Sequence, residues 1–292
     1  MNTATARLQA LAAALLFSTG GAGLKTAAFT AAQLSALRSG VAAIALILWL
    51  RGRVSLTPGM IGAAVAYAAT VTLFVASTKL TTAASAIFLQ ASAPLLIVPL
   101  GAFLLNEHLR LRDVPFLAVM AGGMWLSLSG RAATSGTAPD PFSGNLLALA
   151  CSATWAVTLL SLRALERRPS RQGSGLSVVV AGNAIAAIVA LPFAWPLPPA
   201  PAVDWGTILY LGIFQIALAY WCLTAAVRHL PALEVSLLLL LEPVLNPIWT
   251  WLVRGEEPGS AVVAGGAVII AATALRAVFL SREIAKPLAF PD

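Results

Sequence analysis

Apolar stretches of about twenty residues alternate with short polar segments along this chain, and a helix of about that length crosses the hydrocarbon core of a bilayer. The pattern is not clearly amphipathic, as expected for helices that are surrounded by lipid or by other helices. We therefore predict an all-α membrane protein with ten transmembrane helices. The predicted spans are roughly 7–25, 33–50, 58–77, 82–104, 113–130, 144–163, 175–195, 205–227, 232–253 and 259–280.

Composition supports the membrane assignment. The chain is 59% hydrophobic and 10% charged, with a mean hydropathy of +0.89, which is outside the range of ordinary soluble domains. The net charge of +7 does not indicate nucleic acid binding, because the basic residues are scattered between apolar runs. Cys151 and Cys222 both lie in predicted spans, so we expect neither a disulfide nor a metal site. No cofactor is predicted.

A polar, turn-rich segment near the middle of the chain divides the ten spans into five and five. We predict a first five-helix repeat at 1–130, a linker at 131–143, a second repeat at 144–281 and a cytoplasmic tail at 282–292. Because five is odd, the two repeats must have opposite orientations, as in many secondary transporters whose substrate site lies near mid-membrane. A shift of 149 residues aligns prolines, acids and bases: Pro94 with Pro243, Glu107 with Glu256, and Lys79 with Arg228.

The loop charges predict the orientation. Twelve Lys and Arg residues lie on the side of the termini and four on the opposite side. Cytoplasmic loops carry the excess of positive charge. Both termini are therefore predicted to be cytoplasmic.

The ninth span contains an acid, Glu242, near its middle, followed by Pro243 and Pro247. A charged group at that depth is costly and usually faces a protein interior or a wet cavity. One interpretation is a carboxylate that binds a proton or the amine of a substrate. The other is a favourable charge at the N-terminus of a helix that restarts after a proline break. The sequence leaves both interpretations open.

Further polar and aromatic side chains lie inside the predicted spans. Most of the polar ones, such as Asn183 and Gln215, are predicted to form interhelical hydrogen bonds, and Arg38 is predicted to hydrogen-bond freed backbone carbonyls. Lys79 lies on the side poor in positive charge, which favours a binding or gating role over a snorkelling cation. The predicted substrate-binding residues are Glu242, Lys79, Gln90, Asn246, Trp155, Phe74, Tyr67 and Phe17. The predicted kink or gate residues are Pro94, Pro99, Pro243, Pro247 and Arg228.

The second half contains ALAYWCLTAAVRHLPALEVSLLLLLEPVLNPIWTWLVRGEEPGS, and the first half contains ASAPLLIVPLGAFLLNEHLRLRD. These segments resemble the EamA-type transporters of the drug/metabolite transporter superfamily over nearly the whole chain. The resemblance implies a ten-helix, two-repeat exporter of amino acids, including aromatic ones, or of other metabolites or drugs. The first half departs from the pattern, with Ala93 before Pro94 and Asn106 before Glu107. A two-fold symmetric mechanism is therefore not implied.

We predict a secondary transporter that exports amino acids, with aromatic or other neutral ones as candidates, or similar small metabolites. It is predicted to work by alternating access, as a monomer in the bacterial inner membrane. The expected partners are a small-molecule substrate and the lipid bilayer, with no nucleic acid. No P-loop pattern is present. The alternatives within the superfamily are a small-drug or a nucleotide-sugar carrier. An intramembrane enzyme is a distant alternative, because the sequence has no HExxH motif and no pair of buried acids.

Overall fold

The computed structural model describes residues 3–97, 100, 113–129, 136–166, 174–227, 229–230, 235 and 238–284, and no β-strand occurs among them. The helices are α1 (Thr3–Ser18), α2 (Gly20–Thr26), α3 (Ala31–Trp49), α4 (Pro58–Leu80), α5 (Ala83–Gln90), α6 (Asp113–Ser129), α7 (Pro141–Glu166), α8 (Ser174–Ala194), α9 (Ala202–Tyr210), a π-helix (Leu211–Leu218), α10 (Ala219–Val227), α11 (Leu241–Arg254) and α12 (Ser260–Ile284).

Helices occupy all ten stretches that the hydropathy pattern predicted. Within the described residues, five of them are long and apolar enough to cross a membrane: Ala31–Trp49, Pro58–Leu80, Pro141–Leu162, Gly175–Ala194 and Ala202–Ala226. Shorter apolar helices lie at Ala83–Ile97, Val114–Ser129 and Ser260–Arg276. The prediction of an all-helical protein with several apolar spans is therefore confirmed.

The first predicted span is broken at Thr19 into α1 and α2. The hydroxyl of Ser18 donates to Leu15 O at 2.7 Å and accepts a hydrogen bond from the indole N–H of Trp249 at 3.0 Å. A Cβ on Gly21 would lie only 2.2 Å from Asn246 Oδ1. The glycine therefore allows α2 to approach α11 closely.

The eighth predicted span contains the π-helix between α9 and α10. Such wide turns are rare and often occur at functional sites. A Cβ on Gly212 would lie 2.9 Å from the carbonyl oxygen of Arg38, so the π-helix packs directly on α3. This packing brings Gln215 next to the Arg38 side chain.

The structure describes three of the four prolines that the sequence assigned to kinks or gates. Pro243 lies in the first turn of α11, where backbone N–H groups have no hydrogen-bond acceptor within the helix. The absence of an N–H in proline therefore costs no helical hydrogen bond there. Pro247 alone lies inside α11. Pro94 follows a turn at 91–93 and begins a short helical segment that continues to Ile97. Pro99 and Arg228 lie outside the described residues.

Helices α6 and α12 pack against each other through small residues, and α12 also contacts α5. A Cβ on Gly265 would lie 2.4 Å from Gly123 O and 2.6 Å from Ser127 N. Both neighbours are backbone atoms, which cannot rotate away. Glycine at this position is therefore required for the close contact between the fifth and tenth predicted spans.

Gly265→Ala should lower the thermal unfolding midpoint of the purified protein, because overpacking a close contact costs about 1–3 kcal/mol. Gly122→Ala is the matched control, since Gly122 lies in α6 and nothing lies within 4 Å of the added Cβ. Fluorescence-monitored melting in detergent measures both. Equal midpoints for the two variants would contradict the assigned contact between α6 and α12.

Candidate functional site

Aromatic side chains from three helices meet in the interior of the bundle. The rings of Tyr67 in α4 and Tyr220 in α10 have centroids 5.2 Å apart, and Phe17 in α1 lies 5.0 Å from Tyr220. Both pairs are edge-to-face, the arrangement favoured by the ring quadrupoles. The Nδ2 of Asn183 in α8 donates to the Tyr67 hydroxyl at 2.9 Å. Gly182 makes room for the Tyr67 ring, which a Cβ would approach to 2.4 Å.

Arg38 in α3 lies beside this aromatic group and is 2% exposed. One terminal nitrogen donates to Val71 O at 3.0 Å, and the other contacts Gln215 Oε1 at 3.4 Å. The Arg38 Nε has no hydrogen-bond partner among the described residues. A buried guanidinium at this depth is costly and marks a functional site by default. Its donors are therefore only partly used within the protein.

Glu242 in the first turn of α11 is half-buried and faces the same interior region. It lies within electrostatic range of both Tyr220 and Cys151. No hydrogen bond to its carboxylate occurs among the described residues, so the group is not tied to a structural partner there. Its position at a helix N-terminus is also favourable for a negative charge. Both interpretations of Glu242 are thus compatible with its location.

Tyr220 and Cys151 are also within electrostatic range of Arg38. The positive and the negative group therefore share two neighbours, Tyr220 and Cys151. We call this set the central cluster; it consists of Phe17, Arg38, Tyr67, Cys151, Asn183, Gln215, Tyr220 and Glu242.

Three of the predicted substrate-binding residues, Phe17, Tyr67 and Glu242, belong to the central cluster. Phe74 lies instead in a separate apolar cluster with Phe88 and Leu211. Trp155 is half-buried one turn after Cys151 in α7, and Gln90 is the half-exposed last residue of α5.

Asn246 and Lys79 lie outside the central cluster. Asn246 is one turn after Glu242, is fully buried, and has no hydrogen-bond partner for its amide among the described residues. Lys79 is at the end of α4, where its ammonium donates to Ala27 O at 2.7 Å. Their assignment to substrate binding stays a prediction.

The central cluster includes residues that the sequence assigned only to structural hydrogen bonds. Arg38 and Gln215 contact each other, and Asn183 contacts Tyr67, so the predicted interhelical hydrogen bonds are present. What the sequence did not indicate is that these contacts converge on one place. The sequence showed only that several polar residues lie in otherwise apolar spans. It did not show which of them contact each other.

A groove of about 500 Å³ lies elsewhere, between α2, α9 and α11. Two of its lining hydroxyls are already engaged, since Thr26 donates to Ala22 O and Thr207 donates to Val203 O. The rest of its lining is mainly apolar or glycine. This groove lacks the opposite charges of the central cluster. In the part of the chain that the structure describes, no group of three or more His, Cys, Asp or Glu side chains is placed to hold a metal ion.

One curated relative is an aromatic amino acid exporter, YddG, from Ancylobacter novellus. It is 28% identical to this chain over 191 residues, which covers 65% of this chain and 65% of that protein. The match thus spans just under two thirds of the relative's length. A solved crystal structure is similar in fold, with a TM-score of 0.66 and 24% identity over 97% of this chain and 99% of that chain.

The sequence profile of the EamA-like transporter family matches residues 5–129 and 142–277. Together the two matched segments cover most of the chain. Their boundary falls in the polar linker. This chain therefore belongs to the EamA-like transporter family.

Proposed function

We propose that this protein exports neutral amino acids, with aromatic ones preferred, by alternating access, and that the central cluster is the substrate site. The observation that carries the proposal is that Arg38 and Glu242, which have opposite charges, are both within electrostatic range of Tyr220 and Cys151. A free amino acid carries one carboxylate and one ammonium group. A buried guanidinium and a half-buried carboxylate are the complementary groups for that zwitterion.

The aromatic rings support the preference for aromatic side chains. Phe17, Tyr67 and Tyr220 already use edge-to-face contacts with one another, and a substrate ring can join or replace these contacts at little cost. The similarity to a relative named as an aromatic amino acid exporter supports the same substrate class.

The helix neighbours support an inverted-repeat arrangement. The third and fourth predicted spans pack on the sixth. Their equivalents in the other half, the eighth and ninth spans, pack on the first, which is the equivalent of the sixth. The second and seventh spans pack on each other, as do the fifth and tenth. If each span is replaced by its equivalent in the other half, the same set of packed pairs is obtained. Carriers built in this way rock one half against the other around a fixed central site.

The central cluster is closely packed, since Tyr67 and Arg38 are almost fully buried. Little space for a substrate is therefore left around these two side chains. Substrate binding therefore requires the helices around the cluster to separate, as alternating access implies.

Counterflow in proteoliposomes tests the proposed function. Vesicles loaded with unlabelled amino acid should accumulate labelled tryptophan, phenylalanine or leucine from outside. Labelled choline and UDP-glucose should not exchange. Exchange of choline or of the nucleotide sugar without exchange of any amino acid would overturn the assignment and favour the other carriers of the superfamily.

We also propose a multi-pass location in the bacterial inner membrane with both termini in the cytoplasm. Cysteine at Gly136, in the linker, should then react with an impermeant maleimide in intact cells, whereas cysteine at Ser55 should react only after permeabilisation. Both positions are exposed, while the neighbouring Ala138 is buried and unsuitable for labelling. Labelling of Ser55→Cys in intact cells, with Gly136→Cys protected, would reverse the proposed orientation.

A further inference from the structure

A buried ion pair lies at the end of the molecule that is proposed to face outward. The Nζ of Lys25 in α2 is 3.2 Å from Oε2 of Glu256, and the two side chains are only 3% and 4% exposed. Glu256 follows directly after α11, where Gly255 adopts a left-handed conformation with a φ of 63°. Glycine tolerates this conformation, and the resulting turn ends α11 before Glu256.

Both charged groups also hold backbone atoms of other segments. The Lys25 ammonium donates to Thr81 O at 2.7 Å and to Thr137 O. Glu256 Oε1 accepts from the backbone N–H of Ala83 at 2.6 Å, which is the first residue of α5. The pair therefore links α2, the start of α5, the linker between the halves and the loop after α11.

Neighbouring contacts close the same end. Lys79 joins the end of α4 to Ala27, just after α2. The Thr81 hydroxyl donates to Asn145 Oδ1 in α7 at 2.8 Å, and the Asp140 N–H donates to Leu80 O at 3.1 Å. The described ends of the first, third, fourth, sixth and ninth predicted spans are thus connected around Lys25 and Glu256.

We infer that the Lys25–Glu256 ion pair is the outer gate of the transport path. The inference rests on the proposed transport function and orientation. Water can replace this kind of interaction, because each ion regains its hydration when the pair separates. A buried pair contributes little net stability compared with apolar packing, yet removing one partner leaves an uncompensated buried charge. The ion pair can therefore hold these segments together in the closed state without preventing the protein from opening.

Charge reversal is a poor test here. A carboxylate at position 25 would face the carbonyls of Thr81 and Thr137, and an ammonium at position 256 would face the N–H of Ala83. Neutral variants avoid this conflict. Lys25→Met removes one charge, while Glu256→Gln removes the other and keeps an oxygen that can accept from Ala83.

The test measures the labelling rate of a reporter cysteine at Ser85, which is 1% exposed in the first turn of α5. The background carries Cys151→Ser, which keeps a donor toward Thr70 O, and Cys222→Ala. Intact cells receive an impermeant maleimide. Labelling should rise about ten-fold in Lys25→Met and in Glu256→Gln, which requires only about 1.4 kcal/mol of lost closed-state stability. The double variant should label no faster than the faster single variant, because the two effects remove one interaction.

Two controls make the result specific. Glu257→Gln changes the adjacent but exposed acid and should leave the labelling rate unchanged. Glu257→Cys should react in intact cells, which verifies that this end faces outward. Slow labelling in both neutral variants, additive effects in the double variant, or an equal effect of Glu257→Gln would overturn the gate.

A second arm does not depend on the neutral variants folding. Cysteines at both Lys25 and Glu256 are joined by a cleavable bis-methanethiosulfonate linker in proteoliposomes. The linker should stop tryptophan counterflow, and a reducing agent should restore it. Full counterflow with the linker in place would overturn the gate. If the parent protein exchanges no amino acid but the labelling results hold, the gate stands and the proposed substrate is wrong.

Discussion

Replacing Glu242 with Gln should lower tryptophan counterflow by about ten- to hundred-fold, while the protein remains folded in the membrane. Gln keeps the size of the side chain and can still accept a hydrogen bond, but it cannot pair with the ammonium group of a substrate. A hydrogen bond to a charged group contributes about 1.5–3 kcal/mol. Loss of about 1.5–3 kcal/mol of binding free energy corresponds to the expected ten- to hundred-fold loss of affinity. Counterflow at saturating and at low substrate concentrations measures it.

The same variant distinguishes amine binding from proton binding. Counterflow needs no net proton movement, so a carboxylate that only carries a proton should leave counterflow intact in Glu242→Gln and abolish transport driven by a pH gradient. If Glu242 only stabilises the N-terminus of α11, both activities should persist. Glu257→Gln serves as the matched control, because that acid is exposed and remote from the central cluster. Full counterflow in Glu242→Gln would contradict the proposed amine site.

Replacing Arg38 with Met should reduce counterflow by a similar factor, about ten- to hundred-fold, without lowering the thermal unfolding midpoint. The guanidinium is proposed to bind the substrate carboxylate, and Met fills the volume of the alkyl stem without a charge. Met also removes the cost of burying the guanidinium, which offsets the loss of its hydrogen bonds to the neutral acceptors Val71 O and Gln215 Oε1. Transport and stability should therefore separate in this variant.

A purely structural Arg38 predicts a different outcome. The side chain joins α3 to Val71 in α4 and to Gln215 in the π-helix, so loss of these contacts should lower the midpoint together with transport. Gln215→Met is the matched control, since it removes the side-chain partner and keeps the guanidinium. Its counterflow should fall by less than about ten-fold, because a neutral hydrogen bond contributes only about 0.5–1.5 kcal/mol. Equal losses in Arg38→Met and Gln215→Met would contradict a direct role for Arg38.

The helical plan was predictable from hydropathy because each span must satisfy its backbone hydrogen bonds internally, so long apolar runs have few alternatives to helix. The internal breaks were only partly predictable. Pro243 indicated a discontinuity in the ninth span, but the helix begins before it at Leu241, where proline is tolerated. The break at Thr19 and the π-helix around Gln215 carry no proline signal.

The candidate site was predictable only in part, because the sequence does not show which helices pack together. Glu242, Tyr67 and Phe17 were identified because acids and aromatic residues deep in a span suggest function. Arg38 and Asn183 were assigned to structural hydrogen bonds, which they do form, and only the packing of α3 and α8 places them beside Tyr67. Lys25 and Glu256 are far apart in sequence and lie at span ends, where charges usually need no explanation.

The most direct test of the zwitterion site compares three competitors of labelled tryptophan counterflow that differ by one charged group. Unlabelled tryptophan carries both groups, tryptamine lacks the carboxylate, and indole-3-propionate lacks the ammonium. If Arg38 and Glu242 bind the two ends of one substrate, only tryptophan should compete strongly, and each analogue should be weaker by about ten-fold or more. Tryptamine competing as well as tryptophan would contradict this account, because the site would then recognise a cation rather than an amino acid.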